Sequence, residues 1–337
     1  MLAEVRADGY TVPDTCRLTF ANELCAARDG AEIRVSHGDG IGAQLLRAQL
    51  TDDGALRLVA YNHRAAPAEQ RRAVLAALAA AFAVDVARTS VRLDAAAWPA
   101  VALDALRASG VLGDGGQCMR EGWAQQADLW LVEARPPCAT LPTLTDGRRH
   151  PRRPPAPRAE VYARDVPALG VRFTLRGWQP ADDPARLARW FEAPRVRDGW
   201  PGAQPGTAAD FEPHVTPLVG CFDGEPFAYF EAVWLKEDAL APHAARDYDR
   251  ALRMLVGESR WRGAHCIAAW LPSVVHYLFL DDPRTEAIGC AVPAGHARIA
   301  DLLARHGFAR RRRLALADGQ PLWMCTRRDT FFSGRHV

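Results

Sequence analysis

The chain has 337 residues, of which 49% are hydrophobic and 24% charged, and its formal net charge is +2. This length exceeds that of most single domains, so we expect two domains of ordinary globular composition. A net charge this close to zero provides no overall field that would favour nucleic acid or an anionic membrane as a partner. The eight cysteines are scattered singly, without the spacing of a zinc site or a disulfide framework, so we expect no metal.

No segment of the sequence is typical of targeting or of membrane insertion. The first ten residues lack the basic and then apolar pattern of a signal peptide. The longest apolar run with helical character, residues 267–280, is interrupted by Pro272 and His276 and is too short to span a bilayer. We therefore expect a cytoplasmic protein without a membrane partner.

The clearest domain boundary is a segment rich in proline and arginine at residues 141–160. Proline stiffens such a segment, arginine keeps it solvated, and it lacks the apolar residues that would let it pack. We therefore predict an N-terminal α/β domain at 1–140, a linker at 141–160 and a C-terminal domain at 161–337.

The N-terminal domain shows both helical and strand patterns. Apolar periodicity predicts a strand at 31–36, a helix at 68–84 and a second helix at 96–109. Residues 38–42, before a helical-looking stretch at 43–48, resemble a dinucleotide-binding turn. Their spacing is G-x-G-x-G and no acidic strand end follows at the usual distance, which favours a plain loop.

The C-terminal domain has a more regular pattern. Alternation and turn signals predict strands at 171–175, 217–222, 226–234, 252–256 and 287–292, helices at 184–191, 264–280 and 297–305, and a closing hairpin at 308–317 and 321–326. Asp223-Gly224 is a strong hairpin signal, and Gly307 is a good helix stop. The four arginines at 310–313 favour a solvated strand edge, and His276 favours a buried histidine satisfied by its neighbours.

A tight loop with the sequence Arg-Trp-Arg-Gly-Ala-His occupies residues 260–265, between a predicted strand and the long apolar helix. Gly263 allows backbone to approach a ligand, and arginines can meet phosphate oxygens. The N–H groups at a helix N-terminus also attract anions. Strand, loop, helix, strand, helix and hairpin follow one another as in the GNAT acyltransferase core, which this segment resembles.

Longer motifs narrow the resemblance. They are PLVGCFDG at 217–224, FAYFEAVW at 227–234 with Glu237-Asp238, YDR at 248–250, LVGE at 255–258, WRGAH at 261–265, LFLDDPRT at 278–285 and FF at 331–332. With these motifs the chain resembles the siderophore-biosynthesis branch of the GNAT superfamily. That branch includes the aerobactin-type hydroxylysine acetyltransferases, the alcaligin-pathway acyltransferase and the mycobactin lysine acyltransferase. The resemblance covers about half of the chain well and the N-terminal third poorly.

The resemblance implies an α/β fold with a mixed sheet, namely a GNAT domain in the C-terminal half after an N-terminal α/β domain that is a candidate diverged second copy. It implies transfer of an acetyl or succinyl group from acyl-coenzyme A, as co-substrate, to a small-molecule amine or hydroxylamine. Hydroxylysine, N-hydroxyputrescine and N-hydroxycadaverine are acceptors of this kind, and the product is the hydroxamate arm of a siderophore. A siderophore synthetase is the partner that this pathway implies.

The resemblance also implies roles for individual residues. Those expected to bind the coenzyme are Arg260, Arg262, Gly263, Ala264 and His265. Those expected to be catalytic are Arg253, Glu231, Asp249 and His296, and those expected to bind the acceptor are Trp234, Asp238, Asp281 and Arg284. For Glu231 and Asp249, structural pairing with nearby arginines is an equally weighted alternative.

Two family positions are substituted in this chain. Family members carry a histidine in an Asp-Arg-Gly-Leu-His context, where this chain has Arg253, and an acidic residue after the next strand, where it has Ala291. Arginine cannot accept a proton at physiological pH. One hypothesis is an enzyme that prefers an already hydroxylated amine, whose nitrogen needs no deprotonation near pH 7. The other is a catalytically impaired protein that binds acyl-coenzyme A or supports a siderophore synthetase.

Overall fold

The computed structural model describes residues 15–21, 23–38, 44–83, 85, 87–94, 96–133, 136–199, 211–241, 246–316 and 319–334. The chain divides into two compact units. The first contains the described residues up to Val132 together with Ala163–Val171, and the second contains Glu133–Tyr162 and the chain from Arg172 onward.

The first unit has a seven-stranded sheet whose strands follow one another in sequence order. Its elements are β1 (Thr15–Thr19), β2 (Leu24–Asp29), β3 (Glu32–His37), β4 (Gln44–Leu50), β5 (Ala55–Tyr61), α1 (Pro67–Ala83), β6 (Ser90–Leu93), α2 (Ala100–Ala108), β7 (Gln117–Met119), α3 (Arg120–Ala124) and α4 (Ala127–Trp130). Neighbouring strands are antiparallel except for β5 and β6, which are parallel. The helix α1 packs against β2, β3 and β4.

The predicted helix at 68–84 and strand at 31–36 are confirmed by α1 and β3. The helical interpretation of 43–48 is wrong, because Gln44–Leu50 is the strand β4. There Leu46, Ala48 and Leu50 are buried in alternation, the period of a half-buried strand. The glycine-rich turn weighed as a dinucleotide site lies at 39–42 outside the described residues.

The segment predicted as a linker contains ordered structure. It includes a hairpin of β8 (Pro142–Thr145) and β9 (Arg148–Pro151). Arg153 follows, lies over the ring of Trp234 at 4.3 Å, and forms a bidentate ion pair with Glu237. The arginines of this segment therefore do more than keep it solvated, because at least one is held by a cation–π contact and a buried carboxylate.

The second sheet has eight strands in the order β10-β11-β12-β13-β14-β15-β17-β16. Its strands and associated helices are β10 (Glu160–Val166), β11 (Val171–Gly177), α5 (Asp183–Phe191), α6 (Pro194–Gly199), β12 (Val215–Phe222), β13 (Glu225–Trp234), β14 (Arg250–Val256), α7 (Ala264–Asp281), β15 (Ala287–Val292), α8 (Ala297–Arg305), β16 (Ala309–Arg313), β17 (Leu322–Arg327) and α9 (Arg328–Ser333). The antiparallel run from β11 to β14 is followed by β15, which is parallel to β14.

Local sequence signals in this half are confirmed. Asp223 and Gly224 have φ of 49° and 80°, and two positive φ values are what a two-residue hairpin with an Asp-Gly turn requires. β16 is the exposed edge strand with its four arginines. His276 is fully buried in α7, where its Nδ1 lies 2.9 Å from the hydroxyl of Tyr162.

The two units share one order of elements. In each, an antiparallel meander leads into a helix, α1 or α7, and then into a strand parallel to the last strand of the meander. A second helix and an antiparallel strand follow in both units. This correspondence supports the proposal that the first unit is a diverged copy of the second.

Candidate active site

A gap opens between two parallel strands of the second unit. The ladder between β14 and β15 pairs Arg250 with Ile288 and Ala251 with Gly289, at the start of both strands. Beyond those rungs β14 continues to Val256 and β15 to Val292. The facing backbone edges beyond the last rung need other partners for their N–H and C=O groups. Such edges can accept an extended ligand chain.

The gap leads toward the N-terminus of α7. The loop after β14 ends at Gly263, which precedes the first helical residue and makes no side-chain capping hydrogen bond. The first turn of α7 therefore presents backbone N–H groups at the positive end of the helix dipole. A Cβ on Gly263 would lie 2.5 Å from the ring of the exposed His265, so a larger residue here requires that this ring move.

The two arginines of this loop have partners within the protein. Arg262 donates from Nε to the carbonyl of Val256 at 3.1 Å and from Nη2 to that of Gly257 at 2.5 Å. Arg260 is exposed and pairs with the carboxylate of Glu225. The guanidinium groups thus hold the loop, while the first backbone N–H groups of α7 have no carbonyl partner within the helix.

A charged network lies on one face of the sheet beside the gap. Arg253 on β14 donates to Glu231 Oε2 at 2.9 Å and to Asp238 Oδ2 at 2.8 Å. Glu231 is the cross-strand partner of Arg253 and also accepts from the Tyr229 hydroxyl at 3.0 Å. His214 Nε2 lies 3.4 Å from the same Asp238 oxygen. Arg253 therefore joins two carboxylates, and one of them reaches a histidine.

The environment determines the charge of these groups. Burial opposes ionisation of Asp238, but a hydrogen bond from His214 and the charge of Arg253 lower the pKa of Asp238 below its ordinary value. Burial also works against the cationic form of Arg253, yet Asp238 and Glu231 raise the pKa of Arg253. Burial and the Glu231 carboxylate raise the pKa of Tyr229. The opposite charges of Arg253 and Asp238 thus stabilise each other within this network.

The second substituted family position lies at the level of Arg253. From the Ala251–Gly289 rung, Arg253 is two residues further along β14 and Ala291 two residues further along β15. Side chains two apart in a strand share a face, so both point to the same side of the sheet. A histidine and an acid at these positions would flank the gap, whereas here Ala291 contributes only a methyl group.

Other residues with expected roles lie elsewhere. Trp234 and Arg250 are cross-strand partners, an odd number of residues from Glu231 and Arg253, so they occupy the opposite face. There the Arg250 guanidinium lies 3.8 Å from the Trp234 ring centre and bonds Asp281 at 2.6 Å. Arg284 forms a bidentate pair with Asp282 in the following turn. These contacts give Trp234, Asp281 and Arg284 structural partners apart from the charged network.

Asp249 and His296 also form hydrogen bonds with backbone groups. Asp249 is buried and accepts from the N–H of Arg246 at 3.0 Å and of Ala287 at 3.2 Å, which ties the entrance of β14 to the start of β15. The His296 carbonyl accepts the first backbone bonds of α8. Of the expected acceptor-binding residues, only Asp238 joins Arg253.

His214 was not expected from the sequence. It is a single histidine before β12, without a local motif, and only the fold brings it to Asp238. The backbone N–H of Trp234 donates to the backbone carbonyl of His214 at 3.0 Å and fixes this segment beside the end of β13. Pairings between residues so far apart leave no periodic signal in a single sequence.

In the part of the chain that the structure describes, no helix is long and apolar enough to cross a membrane. The same residues contain no group of three or more histidine, cysteine or acidic side chains placed to hold a metal ion.

The C-terminal half matches known acyltransferases. Residues 179–316 match the family model of the acetyltransferase (GNAT) domain. Over 144 residues the chain is 40% identical to an N(6)-hydroxylysine O-acetyltransferase of Escherichia coli, which covers 40% of this chain and 46% of that protein. It is 41% identical over 150 residues to an N(5)-hydroxyornithine:cis-anhydromevalonyl coenzyme A-N(5)-transacylase of Beauveria bassiana, covering 40% of this chain and 32% of the relative.

A hydroxyornithine transacylase of Ajellomyces capsulatus is 34% identical over 174 residues, covering 48% of this chain and 39% of that protein. The chain thus spans less than half the length of each of these relatives. Residues 179–316, which match the family model, contain the gap, the loop and the charged network described above.

Proposed function

We propose that this chain acylates the nitrogen of a hydroxylated amine. Through its C-terminal domain the chain belongs to the siderophore-biosynthesis branch of the GNAT acyltransferases. The donor is an acyl-coenzyme A, and the product is a hydroxamate. The observation that carries the proposal is the gap between β14 and β15, which leads to the uncapped N-terminus of α7. An extended thiol arm fits between strand edges, and a diphosphate fits a helix N-terminus.

The protein's own groups suit this chemistry. Gly263, Ala264 and His265 supply backbone donors for a diphosphate, while Arg260 and Arg262 keep the loop in place through Glu225 and two carbonyls. Strand edges beside the gap supply N–H groups for a developing oxyanion. In the reaction, the acceptor nitrogen forms a bond to the thioester carbon, the carbon–sulfur bond breaks, and the thiolate of the coenzyme leaves.

The nitrogen must also lose a proton, which Arg253 cannot accept. His214 is the group that we propose for this step, because it shares Asp238 with Arg253. Asp238 would orient the imidazole, whose Nε2 lies 3.4 Å from Asp238 Oδ2. The nitrogen of a hydroxylamine is much less basic than a lysine amine, whose pKa is about 10.4. It therefore needs far less help to become a nucleophile.

A catalytically silent protein that binds acyl-coenzyme A is the second candidate, and the loss of both family residues at Arg253 and Ala291 favours it. A siderophore synthetase as partner, the cytoplasmic location and the choice between acetyl and succinyl donors remain predictions from the family.

Thiol release tests the proposal. The full chain is mixed with acetyl- or succinyl-coenzyme A and with N6-hydroxylysine, N5-hydroxyornithine, N-hydroxyputrescine or N-hydroxycadaverine, each beside its parent amine. We expect release with hydroxylated acceptors to exceed release with the parents. Turnover of the parents at an equal or greater rate contradicts the preference. Binding of the coenzyme in calorimetry without release for any acceptor supports the silent alternative.

A further inference from the structure

A cavity of about 380 Å³ lies on the same sheet face as Arg253. Ala251 shares that face with Arg253, pairs with Gly289, and Gly289 in turn pairs with Cys325. Gly289 and Cys325 both line the cavity. The cavity therefore extends along β15 and β17 from the end of the gap that the Ala251–Gly289 rung closes. An acceptor or the far end of an acyl group would lie there.

The rim of the cavity is strongly cationic. Arg246, Arg311, Arg312 and Arg327 line it, and among the described lining residues Asp249 is the one carboxylate. Both oxygens of Asp249 accept backbone N–H groups, which hold this carboxylate in place, and the four guanidinium groups outnumber it.

The arginines keep much of their capacity to bind an anion. Arg246 pairs with Glu286, and Arg327 lies 3.6 Å from Asp329, but neither acid lines the cavity. Arg311 donates to the sulfur of Cys325, a weak acceptor. Among the described residues Arg312 makes no ion pair. A guanidinium group matches the geometry of a carboxylate and can bind it through two hydrogen bonds.

The floor of the cavity is apolar. Leu240 and Leu314 are buried there, and Trp323 lies so close over Gly289 that a Cβ at that position would be 2.0 Å from the indole. An alkyl chain can pack on this floor while a charged end reaches the arginines. By contrast, a cationic end would meet four guanidinium groups, and the carboxylates of Glu231 and Asp238 on this face already bind Arg253.

We propose that this arginine pocket binds a reactant through a carboxylate at the end of an alkyl chain. The inference rests on the proposed function and specifies its substrate class. A carboxylate can come from two reactants, the α-carboxylate of a hydroxylated amino acid or the terminal carboxylate of a dicarboxylic acyl group. The chemistry at the pocket is the same for both.

Matched ligand pairs test the pocket by calorimetry on the full chain. N6-hydroxylysine carries a carboxylate that N-hydroxycadaverine lacks, and the two are otherwise identical. Succinyl-coenzyme A has a terminal carboxylate where butyryl-coenzyme A has a methyl group. In one of the two pairs, we expect the compound that carries the carboxylate to bind at least ten times more tightly than the compound that lacks it. That preference should disappear in Arg312→Gln and in Arg327→Gln. It should remain in Arg310→Gln, whose arginine pairs with Asp301 outside the cavity.

The outcomes separate this inference from the proposed function. Equal affinities within both pairs, or a preference that survives both pocket substitutions, overturn the pocket even when thiol release continues. A preference that depends on Arg312 or Arg327 without any thiol release supports the pocket and contradicts the acyltransferase. The pair that shows the preference identifies which reactant carries the carboxylate.

Discussion

Arg253 and His214 meet on one oxygen of Asp238, the arginine Nη2 at 2.8 Å and the imidazole Nε2 at 3.4 Å. The residue that occupies the family histidine position is thus coupled to a different histidine through a buried carboxylate. The permanent cation at this position is therefore linked to the histidine that we propose as the proton acceptor.

Substitution of His214 tests whether this residue is the proton acceptor. Since a positioned general base contributes at least about 10²-fold to a rate, we expect His214→Gln to lower kcat with N6-hydroxylysine by about that factor. Steady-state rates of thiol release measure the effect. His306→Gln, directly after α8, is the matched control, and full activity of His214→Gln refutes the assignment.

Restoring the family pair tests whether its loss determines acceptor choice. In Arg253→His with Ala291→Glu, both new side chains lie two residues past the last rung of β14 and β15, on one face. We expect thiol release with lysine, the parent amine, to increase, because an imidazole and an acid can remove the proton of an alkylammonium ion. Release with lysine that falls below the unmodified protein would show that Arg253 has its own role in binding.

Acid should remove the contribution of Asp238 to stability. The folded-state pKa of Asp238 is lowered, so its stabilisation is present above the ordinary Asp pKa of about 3.9 and is lost as pH falls through the folded value. Asp238→Asn should lower the free energy of unfolding at pH 7, and the difference from the unmodified protein should shrink below about pH 4. Urea unfolding at several pH values measures this. A difference that does not change with pH contradicts the ion pair.

Substitution of Gly263 tests the loop that we propose to bind the coenzyme, and it changes no charged group. In Gly263→Ala the new methyl would lie 2.5 Å from the His265 ring, so the ring or the start of α7 must move. We expect the affinity for coenzyme A to fall about tenfold, roughly 1.4 kcal/mol, with little change in thermal stability. Calorimetric titration measures the affinity. Gly113→Ala, in the first unit with no contact closer than 3.6 Å, is the control, and equal affinities argue against diphosphate binding at this loop.

Arg153 tests the order of the segment before the second sheet. Its guanidinium and the Glu237 carboxylate are 7% and 3% exposed, and the guanidinium stacks on Trp234. Removing one partner of a buried ion pair costs about 3–5 kcal/mol when the other charge is left uncompensated, and here His150 Nδ1 stays 2.8 Å from Glu237 Oε1. We expect Arg153→Ala to destabilise the protein by up to that amount in urea unfolding. The neighbouring Arg152 is exposed, so Arg152→Ala should have little effect, and similar stabilities of the two variants would exclude the contact.

Local signals predicted the second unit well and the first unit poorly. The helix expected at 264–280 is Ala264–Asp281, and the Asp223-Gly224 turn joins the strands as expected, because periodicity and turn geometry are properties of neighbouring residues. In the first unit, β4 was mistaken for a helix, since a run of leucine, alanine and arginine has high helix propensity. Its strand state depends on pairing with β3 and β5.

The sequence alone determined the order of helices and strands in the C-terminal half, its family resemblance, and the absence of the family histidine and acid at Arg253 and Ala291. Only the tertiary structure decided which charges neutralise each other. It paired Arg253 with Glu231 and Asp238, brought His214 to the same carboxylate, and left the arginines around the cavity facing an apolar floor. Hydrogen bonds and ion pairs act over a few ångströms, so their partners are known only once distant segments of the chain are in place.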